Sequence, residues 1–391
     1  MRLLFVADGR SPIALNWISY FVQAGHEVHL ASTFPCQPEL RLSSLEVIPV
    51  AFGGTAGMAA QPATGSGSGR LRRLLPVGLR TAIRQWVGPL SLSGAARRFT
   101  QVSAGIRPDL VHAMRIPYEG MLAALGSDSG VPLLVSVWGN DFTLHAPSNP
   151  LLTRYTRLAL HRASALHADC QRDIRLAPLW GFEASKPAVV LPGGGGVQLD
   201  LFYQPEERDS IASLSPLVVN PRGFRAYVEN KAFFHAIPRV LEAYPQARFA
   251  CPAMATEAQA LRWVEQANLA AQVELLPRLA RRQMADLFRR AQVAVSPTTH
   301  DGTPNTLLEA MACGCFPIAG DLESLREWIT PGQNGLLVDP RSPQALAGAM
   351  ITALSDSQLR LDAREQNTRL VAERADYRRV MEKAEAFYRQ L

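Results

Sequence analysis

Apolar and polar positions along this chain alternate between short unbroken apolar runs and longer amphipathic stretches. The run from Leu3 to Ala7 is continuous, as a strand buried on both faces should be. It turns at Asp8-Gly9-Arg10-Ser11 into a helix that begins near Pro12 and reaches about Ala24, with Gly25 as its stop. The next strand runs from Glu27 to Ala31. Further strands are predicted from Asp109 to His112, Pro132 to Val137, Leu166 to Ala168 and Ala188 to Leu191, with helices around 151–163 and 170–179. In the second half, strands from Leu217 to Asn220, Arg248 to Cys251, Val273 to Leu276, Gln292 to Ser296, Phe316 to Ala319 and Leu336 to Val338 alternate with helical stretches. An amphipathic helix from Tyr377 to about Arg389 closes the chain. Repeated βα units predict α/β architecture with parallel sheets covered on both faces. The 391 residues exceed what one ordinary core organises, so two domains are expected.

The most informative stretch is Val295 to Gly320, V-S-P-T-T-H-D-G-T-P-N-T-L-L-E-A-M-A-C-G-C-F-P-I-A-G. A strand ends at Ser296 and Asp301-Gly302 turns. Thr303 is a candidate helix cap, and Pro304 suits the first helical position. Gly314 is placed to stop the helix. Leu307, Leu308 and Met311 form its apolar stripe, with Asn305, Glu309 and Cys313 on another face. A strand–turn–helix unit of this kind aims unpaired backbone N–H groups at whatever lies before the turn, and those groups favour a phosphate.

Composition narrows the class. Hydrophobic residues make up 47% of the chain, which is ordinary for a globular protein. Forty Lys and Arg against 34 Asp and Glu give a net charge of +6, mildly basic and compatible with an anionic substrate or surface. Five cysteines without a C-x-x-C point to neither a disulfide framework nor zinc, and so to a reducing, cytoplasmic compartment. The N-terminal apolar run is too short for a signal peptide, and no segment approaches the ~18 apolar residues of a membrane span. The loop after the first strand lacks G-x-G-x-x-G, which argues against a nicotinamide cofactor. Residues 53–69 are low in complexity. From Arg70 to Arg98 there are seven arginines and no acid, interspersed with Leu, Val, Ile and Trp86. Two readings stay open for this stretch: a solvated basic helix, or a patch that meets anionic lipid at the inner face of the membrane. Pro76 and Gly78 break any single long amphipathic helix.

Asp301 and Glu309, with seven residues between them and followed by Ala-Met-Ala-Cys-Gly, resemble the acidic-x7-acidic signature of the retaining glycosyltransferases of family 4, which have the GT-B fold. The family usually has Glu at the first acid, so Asp301 is one methylene short. The resemblance implies two Rossmann-like doubly wound domains facing a central cleft. The N-terminal domain (1–200) would bind the acceptor and the C-terminal domain (201–375) the nucleotide sugar, with a last helix (376–391) crossing back to the first domain. It implies that Glu309 binds the ribose hydroxyls, that Asp301 holds sugar hydroxyls, and that Gly302, Thr303, Pro304, Asn305 and Thr306 receive the diphosphate and sugar. Arg222, directly after a strand, and Lys231, at the start of the next helix, would neutralise the leaving diphosphate. Two solvated cations are the plainer reading of that pair.

In the first domain, Gly9 matches the family's glycine turn. His112 matches the first His of a His-x-His, with Met114 in place of the second, and would sit near the reacting sugar unless it is structural. Trp138, Asn140 and Asp141 match a cleft-side segment assigned to the acceptor, although Asp141 alone also reads as a turn cap. Pro192 to Phe202, with four consecutive glycines, resembles the interdomain linker and reads as a hinge. The chain contains no D-x-D, so no metal cofactor is expected, and protein cations and backbone donors would stabilise the diphosphate. The expected activity is retaining, metal-independent transfer of a sugar from a UDP- or GDP-linked donor to a glycan or lipid-linked acceptor. The expected partners are those two substrates, with no nucleic acid. A nucleotide-sugar epimerase of the same fold and a non-catalytic nucleotide-sugar-binding protein are the alternatives.

Overall fold

The computed structural model describes residues 1–50, 88–204 and 215–391. The low-complexity run and most of the arginine-rich segment fall outside the described residues; of the latter only Gly88 to Arg98 is described. The chain forms two compact units. One comprises Met1–Gly195 with Met381–Leu391, and the other Gly196–Val380.

The first unit is built on a parallel sheet of β1 (Arg2–Ala7), β2 (Glu27–Ser32), β3 (Ser44–Val47), β4 (Leu110–Ala113), β5 (Leu133–Val137), β6 (Ala165–Ala168) and β7 (Ala188–Val190). Their spatial order is β3-β2-β1-β4-β5-β6-β7, so the sheet reverses direction between β1 and β4. Its helices are α1 (Pro12–Gln23), α2 (Leu92–Ile106), α3 (Met121–Gly126), α4 (Pro150–Arg162) and α5 (Gln171–Leu176). Helix α1 shows how local sequence sets an element. The Ser11 hydroxyl accepts from the Ala14 amide, Pro12 sits in the first turn, and Gly25 leaves at φ +82°. Ala14, Trp17, Ile18 and Phe21 bury one face. A large apolar side chain buried this way contributes about 1.5–3 kcal/mol.

The second unit repeats the topology with β8 (Leu217–Val219), β9 (Arg248–Cys251), β10 (Val273–Leu275), β11 (Val293–Ser296), β12 (Phe316–Gly320) and β13 (Leu336–Val338), ordered β10-β9-β8-β11-β12-β13. Around it lie α6 (Asn230–Ala243), α7 (Ala258–Gln266), α8 (Arg281–Arg290), α9 (Asn305–Ala312), α10 (Pro343–Ser355) and α11 (Ser357–Arg374). All strand pairs are parallel, which fits their continuous apolar runs. The direction reverses between β8 and β11. In open α/β sheets such a reversal opens a crevice at the carboxyl ends of the strands. Helix α12 (Tyr377–Tyr388) closes the chain, and its residues from Met381 onward belong to the first unit.

Two expectations are corrected. The glycine run is not a loose hinge, because all four glycines are buried. Asn16 donates to the Gly194 carbonyl at 2.6 Å, and the Val197 amide donates to Ala375 at 2.7 Å. A Cβ on Gly196, at φ +91°, would lie 2.2 Å from the Ala375 carbonyl oxygen. Gly196 therefore serves close backbone approach. Second, α9 begins after Pro304, whose ψ of 120° is extended, and Thr303 does not cap it. The Thr303 hydroxyl instead accepts from Trp328 Nε1 at 3.0 Å.

Candidate active site

The reversal between β8 and β11 gathers the polar residues of the second unit. Asn220 follows β8, and its side-chain N–H donates to Asn230 Oδ1 at 3.0 Å; Asn230 in turn donates to the Gly223 carbonyl. The Glu229 amide donates to the Pro297 carbonyl and the Thr299 amide to Tyr227. The loop after β8, the start of α6 and the loop after β11 are thereby knitted together. Ser324 donates to the Asp301 carbonyl at 2.7 Å and, with Trp328 on Thr303, holds the turn from the far side.

Arg222 reaches across this junction. Its Nη2 donates to Asp301 Oδ2 at 2.6 Å and its Nη1 to Thr306 Oγ1 at 3.1 Å. The guanidinium is almost wholly buried, and its Nε has no acceptor. Three further buried atoms on the same strand end and helix start lack partners: Ser296 Oγ, Thr298 Oγ1 and Asn305 Oδ1. The amides of Gly302, Asn305 and Thr306 donate to no acceptor among the described residues. Buried polar groups are nearly always paired, and leaving one unpaired costs about 1–3 kcal/mol. So many at one strand–turn–helix junction make it the candidate place for a polar ligand. The amides at the start of α9 add the positive end of the helix dipole.

Glu309 lies one turn into α9, and Arg281 Nη2 stands 3.8 Å from its Oε1. Burial pushes its carboxyl up to about 7, against the opposing pull of Arg281. Lys231 is exposed in the first turn of α6 and joins no ion pair among the described residues. A cation there opposes the helix dipole, so the helix gains nothing from it. The structure thus brings together Arg222, Asp301, Gly302, Thr303, Pro304, Asn305, Thr306 and Glu309, with Lys231 on the helix tied to the same loop. Ser296, Thr298, Ser324, Trp328 and Arg281 escape sequence reading. A polar residue at or just past the end of an apolar strand was the available signal for Ser296 and Thr298; Ser324, Trp328 and Arg281 act across 23 residues or more, and no local pattern announces them.

The first-unit candidates behave differently. Gly9 is buried, its amide donates to Ser32 Oγ at 3.0 Å, and a Cβ there would lie 2.3 Å from Cys36 Sγ. His112 was expected near the reacting sugar; it is instead locked in the core. Trp17 Nε1 donates to Tyr388 Oη at 2.9 Å, and Tyr388 meets His112 Nδ1. His112 Nε2 lies 2.7 Å from Ser136 Oγ, which lies 2.7 Å from His167 Nδ1, while His167 Nε2 lies 2.9 Å from the Leu191 carbonyl. That carbonyl only accepts, so neutral His167 carries its proton on Nε2. Ser136 must then donate to His167 and accept from His112 Nε2, and Tyr388 donates to His112 Nδ1. Burial keeps both imidazoles neutral: His167 is lowered to about 4 and His112 well below its ordinary value, with His167 adding to the latter shift.

Asp141 is also internal. It accepts from Arg115 Nε at 2.9 Å and from the amides of Trp138 and Ile116, and burial raises its carboxyl despite Arg115. Asn140 accepts from Arg115 Nη2 at 2.7 Å. The turn-cap reading of Asp141 holds, and direct contact with an acceptor is corrected, because its oxygens are spent on the loop. Trp138 Nε1 is buried without a partner. Nearby, Asp169, Cys170 and Asp173 bring three potential metal ligands within 4.8 Å. Arg172 Nε already donates to Asp173 at 2.9 Å and supplies a cation there, and burial pushes the Cys170 thiol up, disfavouring thiolate ligation.

Comparison with known proteins defines the class first and then the family. The fold is that of GT-B enzymes. Sucrose-phosphate synthase from Thermosynechococcus elongatus superposes with a TM-score of 0.75 at 17% identity, covering 100% of this chain and 99% of that one. Anabaena HepE, solved with UDP, superposes at 0.73 with 16% identity over 100% of both chains. Residues 9–193 match the family model described as "Glycosyl transferase 4-like domain" and residues 224–356 match "Glycosyl transferases group 1". The chain belongs to glycosyltransferase family 4. Among curated relatives, the D-inositol 3-phosphate glycosyltransferase of Jonesia denitrificans is 34% identical over 97 residues, 25% of this chain and 23% of the relative. The phosphatidyl-myo-inositol mannosyltransferase of Mycobacterium tuberculosis is 27% identical over 293 residues, 63% of this chain and 74% of the relative. The chain thus spans under a quarter of the length of the first of these relatives. No helix among the described residues is long and apolar enough to cross a membrane.

Proposed function

We propose that this chain transfers a sugar, with retention of configuration, from a UDP- or GDP-linked donor to a polyol, glycan or lipid-linked acceptor. The observation that carries the reading is the buried Arg222 guanidinium, pinned across the β8/β11 reversal beside the unpaired amides of Gly302, Asn305 and Thr306. Departure of a nucleoside diphosphate concentrates negative charge on its terminal phosphate. Preorganised donors that meet that charge lower the barrier, by roughly 3 kcal/mol for one such donor. Arg222, Lys231 and the amides at the start of α9 are those donors, and they make the reaction independent of a metal clamp. Glu309, when ionised, accepts from the ribose hydroxyls. The acceptor hydroxyl attacks from the face the diphosphate leaves, and the leaving phosphate takes its proton. HepE, solved with UDP-glucose, supports a uridine donor; the inositol-containing names of the curated relatives support a polyol or lipid-linked acceptor.

The test is a thermal-shift screen against UDP-, GDP- and ADP-sugars, followed by turnover with the best donor. A ligand at ~100 times its Kd stabilises by roughly 2.7 kcal/mol. A transferase releases free sugar slowly without acceptor, keeps the anomeric configuration in its product by NMR, and is unaffected by EDTA. An altered sugar would make it an epimerase, and binding without release a non-catalytic binder. Failure of every nucleotide sugar to stabilise it would end the reading.

A further inference from the structure

We propose that Asp301 is a positioning residue for Arg222, and that it acts on the donor phosphates through the guanidinium rather than on the sugar hydroxyls. The inference rests on the reading above that the diphosphate sits at the β8/β11 reversal.

Asp301 Oδ2 is engaged with Arg222 Nη2 at 2.6 Å, and the same residue's carbonyl is held by Ser324. Arg222 gives its other terminal nitrogen to Thr306 Oγ1. Both acceptors belong to the 301–306 turn, whose amides at Gly302, Asn305 and Thr306 are unpaired. The turn thus grips the guanidinium by its two ends and sets it in register with its own N–H groups. A purely structural ion pair at this burial would satisfy all three nitrogens, since an unpaired buried donor is expensive. Here Nε is left over. It is the nitrogen closest to the Arg222 backbone and the least able to swing, so its direction is set by the two anchored ends. Chain length supports the assignment. Aspartate, shorter than glutamate by one methylene, keeps its carboxylate back at the guanidinium instead of extending it beyond the turn. The pairing also balances charge: Asp301 neutralises a buried cation until a phosphate arrives.

Calorimetric titration separates the two roles. The probes are UDP and GDP alone, then UDP-glucose and GDP-mannose. A residue that binds sugar hydroxyls affects only the nucleotide sugar. A residue that positions Arg222 affects the bare diphosphate too. The expected result is that Asp301→Ala weakens the bare diphosphate at least tenfold and the nucleotide sugar by the same factor. Asp301→Asn, which keeps an acceptor for Nη2, should stay within threefold of wild type. Loss confined to the nucleotide sugar, or unchanged or tighter diphosphate binding by Asp301→Ala, would overturn the proposal. Should Asp301→Ala not fold, Thr306→Val removes the second anchor. It should weaken the bare diphosphate threefold or more, and unchanged affinity would also overturn the proposal. Wild-type protein that binds neither UDP, GDP nor their sugars would remove the functional reading itself, and this assignment with it.

Discussion

At the carboxyl end of the first sheet, Asp141 spends its oxygens on Arg115 and two amides, and His112 has both ring nitrogens bonded. At the same end of the second sheet, Arg222 keeps a buried Nε without an acceptor, and three side-chain oxygens and three amides nearby are unpaired. The two sheets share the order of their first six strands, and both carry polar residues at the carboxyl ends of strands. The difference lies in how many of these groups the protein satisfies itself: Asp141 and His112 are fully bonded, with Trp138 Nε1 beside them left over, whereas the second junction gathers four unpartnered side-chain atoms and three amides. Where it does, polar residues at a strand end are scaffold. Where it does not, the junction is the candidate place for a ligand.

The contrast can be broken by substitution. The largest effect is expected at Arg222. Replacing it with Ala should lower turnover of the folded protein by 10²-fold or more, about 3 kcal/mol in the barrier; steady-state rates with the best donor check this. Asp141→Ala should do the reverse. It takes the acceptor from two amides and from Arg115 Nε and should cost about 3 kcal/mol of stability by urea unfolding, while nucleotide affinity of the folded protein stays within twofold. A variant that lost affinity without losing stability would move Asp141 back into a binding role.

Acid sharpens the same division. His112 and His167 are held neutral in the fold, with His167 lowered to about 4. The unfolded chain therefore binds more protons below pH 6.5. The stability tied to His167 is complete above that value and is lost as pH falls toward about 4, at up to about 1.4 kcal/mol per pH unit, and His112 acts in the same direction. Unfolding followed between pH 7 and 4 should show this slope, and His167→Gln should flatten it. The smallest effect belongs to Glu309, raised to about 7. Its carboxylate form gains population from pH 6 to 8, so donor affinity should rise a few-fold over that range. Glu309→Gln should remove the rise, as titration calorimetry at the two pH values would show.

Much of the fold was legible. Continuous apolar runs such as Leu3 to Ala7 and Val293 to Ser296 announce buried parallel strands, and Ser11-Pro12 with Gly25 brackets a helix. Strand β3 was not legible, because Ser-Leu-Glu-Val at a half-buried sheet edge carries no apolar run. Of the site, the residues of the 301–309 turn and helix were readable from spacing, and so was Arg222 from its place after a strand. The errors share a cause. Thr303 is drawn off by Trp328, and His112 and Asp141 by partners more than 20 residues away. A sequence window shows that a residue can bond but not that its bonds are already made. The glycine run misled in the opposite sense: glycine permits both looseness and tight contact, and only the neighbours Asn16 and Ala375 decide which.

The string of bonds from Trp17 through Tyr388, His112, Ser136 and His167 to Leu191 has a single polarity. Each hydroxyl has one proton to give, and each neutral imidazole one, so no member can turn round unless the rest turn with it, and the indole at one end and the carbonyl at the other cannot. A tyrosine in the last helix is thereby wired to the backbone two residues ahead of Gly193, where the glycines begin. Deleting that single phenolic oxygen strands a donor on one side and an acceptor on the other, and the disturbance is bequeathed, link by link, to the segment that leads out of the first unit.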